Sequence, residues 1–359
     1  MNNFDIWLSV VLGADCSNSE DIMESNIPFD VIYNNRENLE QFGCFSKKQQ
    51  KKARETSLSD VENIRIKHEK ENIKSMNYTD DIFPNEFKNI SHAPIILFYK
   101  GDIGLLSKPY KVAVVGSRKC NSEGEFACKK TSEDIVKCNG VVVSGLAQGI
   151  DTMAIKSAID NGGKTIGIIG VPLDECYPKT NEKLQNFMFD NHLVVSEYHS
   201  GYPGYPSNFL RRNRLVVAIS DGVLVVQAAK KSGSLVTARL AGEMGKPLFV
   251  VPGSIFSEMC EGTNELLTEG KAIAITDGKQ IMKHLGVKIE DIEKSEKDEK
   301  QKLEPELQMV LDCIEGTMQA GEIIRKSNIR PNLVKAALTQ LEMMGYVAKS
   351  RTGDYVRKK

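Results

Sequence analysis

The 359-residue sequence has almost no net charge: 47 Lys and Arg stand against 48 Asp and Glu. A basic average therefore gives no sign of a polyanionic partner, and any phosphate site must be a local cluster. None of the eight cysteines (Cys16, Cys44, Cys120, Cys128, Cys138, Cys176, Cys260, Cys313) forms Cys-x-x-Cys or stands with histidine at metal-ligand spacing. That leaves reduced, structural thiols and no metal. No apolar run approaches the length of a membrane span. The stretch Met1 to Leu12 lacks a cationic start, contains Asp5 and leads to no small-residue cleavage site. No signal peptide is expected, and the reducing cytoplasm is the expected compartment. Nucleotide fingerprints are missing too. Gly116 meets no second glycine before Gly124, so there is no G-x-G-x-x-G, and Ser232-Gly233-Ser234 does not fit G-x-x-x-x-G-K-[ST]. Neither a dinucleotide cofactor nor ATP hydrolysis is supported, and no cofactor is expected.

What is present is ordinary for a globular chain of two or three domains: 41% hydrophobic and 26% charged residues. Residues 1–77 contain helical patterning around Ile6–Leu12 and Ile22–Gln41. The stretch Lys47–Arg54 holds five basic residues and no acid, which fits either a solvated helix face or a patch that touches DNA. Residues 78–286 alternate short apolar runs with helix-length segments. The runs are Lys111–Val115, Val141–Val143, Thr165–Ile169, Leu193–Val195, Val223–Val226, Leu248–Val251 and Ala272–Ile275. Nearly continuous Val/Ile/Leu runs predict strands covered on both faces, hence an α/β fold with an extended, Rossmann-like, doubly wound and mostly parallel sheet. Residues 287–305 are dense in Glu, Lys and Asp and predict a linker. Residues 306–359 predict three helices (Leu307–Ile314, Ala320–Ser327, Pro331–Leu341, capped by Gly345) and a hairpin of Tyr346–Lys349 and Asp354–Arg357 around Thr352-Gly353. That is a winged-helix-like module.

Ligands of open α/β sheets bind beyond the carboxyl ends of the strands, so the loops there carry the chemistry. Gly116-Ser117-Arg118 follows the first run and offers close backbone approach, a hydroxyl and a guanidinium beside a helix start. Ser144-Gly145 opens a second loop that ends in Gly149-Ile150-Asp151. There Asp151 is expected to cap the next helix rather than act as a catalytic carboxylate. Asn208-Phe209-Leu210-Arg211-Arg212-Asn213-Arg214 places three arginines in four positions beside an aromatic. These suit phosphates and a stacked base, or carboxylate partners within the fold. On a helix, Arg211 and Arg214 share a face and Arg212 turns away. Lys230-Lys231-Ser232-Gly233-Ser234 leads into another helix, as a second anion site or a plain capped turn. Several anion-friendly loops along one sheet edge, without a nucleotide fingerprint, point to an extended polyanion.

In order, VAVVGSR (Val112–Arg118), VSGLAQGID (Val143–Asp151), GKTIGIIG (Gly163–Gly170), YPKTN (Tyr177–Asn181), RNRL (Arg212–Leu215), SGSLVTA (Ser232–Ala238) and VPG (Val251–Gly253) resemble the DprA/Smf family. The resemblance runs from about Tyr78 to Ile275. The tail resembles the winged-helix module of many members, and residues 1–77 bear a lesser resemblance to the family's small helical (SAM-like) domain. The resemblance implies a homodimeric, non-enzymatic protein that binds single-stranded DNA and loads the RecA recombinase during natural transformation and homologous recombination. It carries DNA binding onto Arg118, onto Phe209, Arg211, Arg212 and Arg214, and onto Lys179; the reading of the loops adds Gly116, Ser117, Ser144, Gly145, Ser232, Gly233 and Ser234 as expected DNA-binding positions. Three positions depart from the family pattern: Ile155 where histidine is frequent, Gln227 where glutamate is usual, and Leu210 where proline is common.

Two other readings have a physical basis. A phosphoribohydrolase of the lysine-decarboxylase-like (LOG) class shares this kind of core, but it needs a placed carboxylate. From Ser232 to Leu240 there is none, the first being Glu243. A regulator that reads DNA through Arg325, Lys326, Arg330 and Lys335 of the winged helix is the other.

Overall fold

The computed structural model describes residues 2–14, 16–288, 304–343, 346–350 and 353–357. They group into two compact units, Met1–Ile289 and Glu290–Lys359. Most of the expected linker, the expected cap Gly345 and the turn residue Thr352 lie outside the described residues.

The first unit opens with five helices: α1 (Asn3–Leu12), α2 (Ser19–Ser25), α3 (Phe29–Asn34), α4 (Lys47–Glu55) and α5 (Leu58–Lys70). The apolar α1 packs against α3, α4 and α5. Its Trp7, fully buried, donates from Nε1 to the Thr56 carbonyl at 2.8 Å. The basic α4 starts where Ser46 and Gln49 form a reciprocal capping box, which satisfies two otherwise orphaned amides.

A nine-stranded sheet follows, ordered β1-β2-β6-β5-β4-β3-β7-β8-β9. Strands β3 (Lys111–Val115), β4 (Val141–Ser144), β5 (Thr165–Ile169), β6 (Leu193–Ser196) and β7 (Gly222–Val225) are buried along their whole length. Their unbroken apolar sequences reflect cover on both faces. β8 (Leu248–Val250) and β9 (Ile273–Ala274) complete the parallel part. Two strands add to those expected from sequence: β1 (Lys74–Asn77) and β2 (Ile96–Gly101), which extend the sheet antiparallel beyond β6. β1, which ends at the expected 77/78 boundary, is thus part of the main sheet. A short α6 (Asn85–Lys88) lies between them. The sheet is wrapped by α7 (Ser122–Lys137), α8 (Ile150–Asp160), α9 (Glu182–Asn191), α10 (Pro206–Ile219), α11 (Ser234–Glu243), α12 (Glu261–Thr268) and α13 (Gly278–His284). No described helix is long and apolar enough to cross a membrane.

The second unit has helices Pro305–Asp312, Ala320–Ser327 and Pro331–Met343 and an antiparallel sheet ordered β10 (Thr317–Met318), β12 (Tyr355–Arg357), β11 (Val347–Lys349). Leu307, Val310, Ile323, Val334, Leu338 and Leu341 form its core.

α5 is fastened to the sheet by a buried histidine. His68 Nε2 accepts the Ser200 N–H at 3.1 Å, and its ring meets Phe98 edge-on at 5.0 Å. Beside it, Lys67 pairs with Asp174. Burial pushes the His68 pKa down to about 4; Asp174 opposes this, while His199 and Lys67 reinforce it. The unfolded chain takes up a proton near pH 6.5 that the folded His68 refuses, so stability present above that pH is lost as the pH falls toward 4. Asp5, raised to about 6 by burial, works in the opposite direction. The contribution of His68 is therefore read as a difference between two proteins that both keep Asp5. Between pH 7 and pH 5, wild type is expected to lose up to about 2 kcal/mol more unfolding free energy than His68→Gln, whose amide oxygen can accept the same bond without titrating. Urea titrations at both pH values measure it; equal losses would place the acid sensitivity elsewhere.

Candidate nucleic-acid interface

β3 lies between β4 and β7. From β3 the chain winds one way through β4, β5 and β6, then returns to the other side for β7, β8 and β9. The loops leaving the carboxyl ends of β3 and β7 diverge, and a crevice is left where the strand order reverses. A cavity of about 430 Å³ occupies this position. Gly116, Ser117 and Arg118 form one wall, Ser232, Gly233 and Ser234 another, and Phe209 and Arg212 of α10 a third.

The first wall is held by backbone contacts. Ser117 N donates to the Gln227 carbonyl at 2.7 Å. A Cβ on Gly116 would lie 2.7 Å from Ile150 Cγ1 and 3.0 Å from the Gln227 oxygen, so only glycine fits. The Gln227 side chain, buried, accepts from Asn121 N at 3.1 Å and donates to Asn121 Oδ1 at 2.9 Å. Asn121 in turn caps α7 through Gly124 N at 2.9 Å. An amide both donates and accepts here, which an ionised glutamate could not do. Arg118 projects from this fixed loop into solvent, and no carboxylate among the described residues pairs with it. At the opposite wall, the N-cap of α11 is Gly233, with no side-chain cap. Ser232 and Ser234 share a hydroxyl–hydroxyl bond of 2.6 Å beside it.

The floor is an ion pair in all but direct contact. Arg212, 4% exposed, directs its guanidinium to the carbonyls of Gly145 and Ile168. Asp151 accepts from the amides of Gly145 at 3.2 Å and Ala147 at 3.4 Å. Burial pushes the Asp151 carboxyl up, and Arg212 draws it back. Asp151 therefore holds the loop before α8 rather than capping that helix, whose N-cap is Gly149. Arg212 supports the cavity from below.

The remaining expected site residues divide. Ser144 is fully buried, its hydroxyl donating to the Val114 carbonyl at 2.7 Å, and it faces the sheet rather than the cavity. Gly145 contributes its carbonyl to Arg212. Arg214 is turned away: it forms a two-pronged pair with Glu197, buried on both sides, and donates from Nε to the His92 carbonyl at 3.0 Å. A guanidinium committed in this way is not available to a phosphate, so of the two readings open for the arginine cluster, Arg214 takes the structural one. Arg211 points to the other side of α10, into a separate cleft. Lys179 is exposed on the short helical turn after Pro178. The structure adds the two end residues of the same YPKTN segment to the expected site. The exposed Tyr177 packs its ring 4.9 Å from Phe209, making a two-ring platform at the cavity edge. Asn181 donates to the Leu146 carbonyl at 2.9 Å and pins a residue held at φ +54°. The pairing of an aromatic after β5 with one on α10 was the signal available for Tyr177.

Residues 74–286 match the family model for DNA recombination-mediator protein A. The chain belongs to the DNA recombination-mediator protein A family. This DprA family match spans the whole nine-stranded sheet and every wall of the cavity. The chain is 40% identical to the DNA processing protein DprA of Streptococcus pneumoniae over 222 residues, 62% of this chain and 78% of that one. It is 38% identical to DprA of Bacillus subtilis over 203 residues, 56% and 68% of the two chains. The X-ray structure of the Streptococcus pneumoniae DprA superposes with a TM-score of 0.68 at 32% identity, covering 79% of this chain and 97% of that one. DprA of Helicobacter pylori, whose structure describes a single-stranded DNA binding mode, superposes at 0.55 with 35% identity over 59% and 95%. The role that goes with the family is DNA processing as a recombination mediator.

Proposed function

We propose that the chain binds single-stranded DNA in the crevice between the β3 and β7 loops, as a homodimer that passes the strand to the RecA recombinase in homologous recombination and natural transformation. The observation that carries the DNA reading is Arg118: an exposed guanidinium, free of carboxylate partners among the described residues, at the mouth of a cavity walled by glycine and serine amides and edged by two aromatic rings. In this role Arg118 and the Gly116 and Ser232–Ser234 backbone take phosphates. The Phe209–Tyr177 platform takes a base, worth about 1–3 kcal/mol. The dimer and the RecA step follow from the family resemblance. The only carboxylate among the described residues that line the cavity, Asp151, is bound to loop amides, which disfavours the phosphoribohydrolase alternative.

Fluorescence anisotropy of a labelled oligo(dT) tests the reading. Wild type is expected to bind with affinity that falls steeply with salt and depends little on sequence. Arg118→Ala, which breaks no ion pair among the described residues and takes away only a distant charge that favours ionised Asp151, is expected to weaken binding about tenfold or more. A folded wild type that does not bind, or binds equally well at low and high salt, would overturn it.

A further inference from the structure

The basic α4 borders a second cleft of about 430 Å³, on the side of α10 opposite the first. Residues 10–14, at the end of α1, make its apolar floor. Lys48 and Lys52, one helical turn apart, line it from α4. Arg211, Tyr202 and Tyr205 line it from the start of α10 and the loop before it. No carboxylate is present among the described lining residues, and no ion pair among the described residues engages Lys48, Lys52 or Arg211. The neighbouring Lys51, on the outer face of the same helix, does pair, with Glu55 at 3.7 Å. The two lysines of α4 that face the cleft thus have no carboxylate partner among the described residues, whereas Lys51 outside it has one. Burial and Lys48 both disfavour the charged form of Lys52, so cations gathered here gain from an anion arriving between them.

The aromatic side is ordered as well. Tyr202 stacks on Tyr198 with ring centroids 4.8 Å apart, and Tyr205 meets Tyr202 edge-on at 6.2 Å while its own ring stays exposed. Cations beside a fixed, exposed aromatic ring are the elements with which proteins track a single strand. The two clefts are also adjacent. Phe209 and Arg211 are two residues apart on α10, one facing each cleft. A strand leaving the first needs only to pass over the first turn of a helix about 10 Å wide to enter the second.

We propose that Lys48, Lys52, Arg211 and Tyr205 form a second subsite for single-stranded DNA, which holds the part of the strand that runs on from the β3–β7 crevice over the N-terminal end of α10. This rests on the DNA reading above and extends it: the N-terminal helices belong to the DNA footprint. The basic stretch Lys47–Arg54 then has divided duties, with Lys48 and Lys52 toward the strand and Lys51 toward solvent.

The full-length protein is titrated with two oligo(dT) lengths, about six nucleotides, enough for one cleft, and about twenty, enough for both. Lys48→Ala/Lys52→Ala is expected to leave the short oligonucleotide unaffected. It is expected to weaken the long one about tenfold and to flatten its salt dependence by about one to one and a half in log–log slope, as two lost phosphate contacts require. Tyr205→Ala should likewise affect only the long oligonucleotide. Arg118→Ala should weaken both lengths. If the double variant binds the long oligonucleotide as wild type does, the second subsite is refuted while the first stands. If it weakens both lengths equally, the cleft is no separate subsite and the proposal also falls. If Arg118→Ala has no effect while the double variant does, the first reading fails and the second cleft is the primary site.

Discussion

Arg212→Ala is expected to destabilise the first unit by about 3–5 kcal/mol, the range for breaking a buried charge network. The Gly145 and Ile168 carbonyls would lose a shared donor. Such orphaned acceptors cost about 1–3 kcal/mol each. The buried Asp151 would lose the cation that offsets its desolvation. The guanidinium is also a spacer: a Cβ on Gly145 would lie 2.3 Å from it, so the β4 loop is packed directly onto Arg212. Urea unfolding followed by the fluorescence of Trp7, the only tryptophan and one buried in the first unit, reads that unit alone. Asp151→Asn added to Arg212→Ala should restore about 1–2 kcal/mol, because it removes a charge left without compensation. In the wild-type background the same Asp151→Asn should destabilise. A loss below 1 kcal/mol for Arg212→Ala, or no difference between the two backgrounds, would mean that Arg212 is not the cation the floor depends on.

The three arginines of α10 also mark where sequence stops being informative. Their spacing puts Arg211 and Arg214 on one face of the helix and turns Arg212 away, yet each meets a different neighbour: Arg211 lines the second cleft, Arg212 reaches the floor and Arg214 pairs with Glu197. Helical phase cannot say which neighbour waits in each direction, because Glu197 and the Gly145 and Ile168 carbonyls come from distant parts of the chain. The parallel strands were legible because two-sided burial leaves a continuous apolar run; β3 and β5 match expectation to the residue. β1 was not, since a short edge strand with one buried side chain in four has no such run. The glycine and serine loops were found because phosphate-friendly residues after strands are a local signal. The Tyr177–Phe209 platform joins two segments that only the fold brings together.

Gly149→Ala is expected to damage stability and DNA binding together, and it separates two roles of glycine. Gly149 sits at φ +81°, ψ −129°, a combination that only glycine adopts readily. Its missing side chain also makes room for another loop: a Cβ would lie 2.4 Å from the Ser117 oxygen and 2.8 Å from Arg118 Cα. Ile150 N donates to that same oxygen at 3.2 Å, so the Arg118 loop rests on the start of α8. Alanine must therefore pay for backbone strain and also lift the Arg118 loop. Gly162 provides the reference, with φ +74° and nothing within 4 Å of its would-be Cβ. Gly162→Ala should cost about 1 kcal/mol and leave DNA affinity unchanged. Gly149→Ala should cost about 3 kcal/mol or more and, at a temperature where it remains folded, weaken oligo(dT) binding about as much as Arg118→Ala does. Urea unfolding and anisotropy on the two variants give both quantities. Equal behaviour would mean that the Arg118 loop does not lean on Gly149. A stability loss without an affinity loss would mean that Arg118 reaches the DNA from a loop free to move, and the rigid-wall account of the crevice would have to be given up.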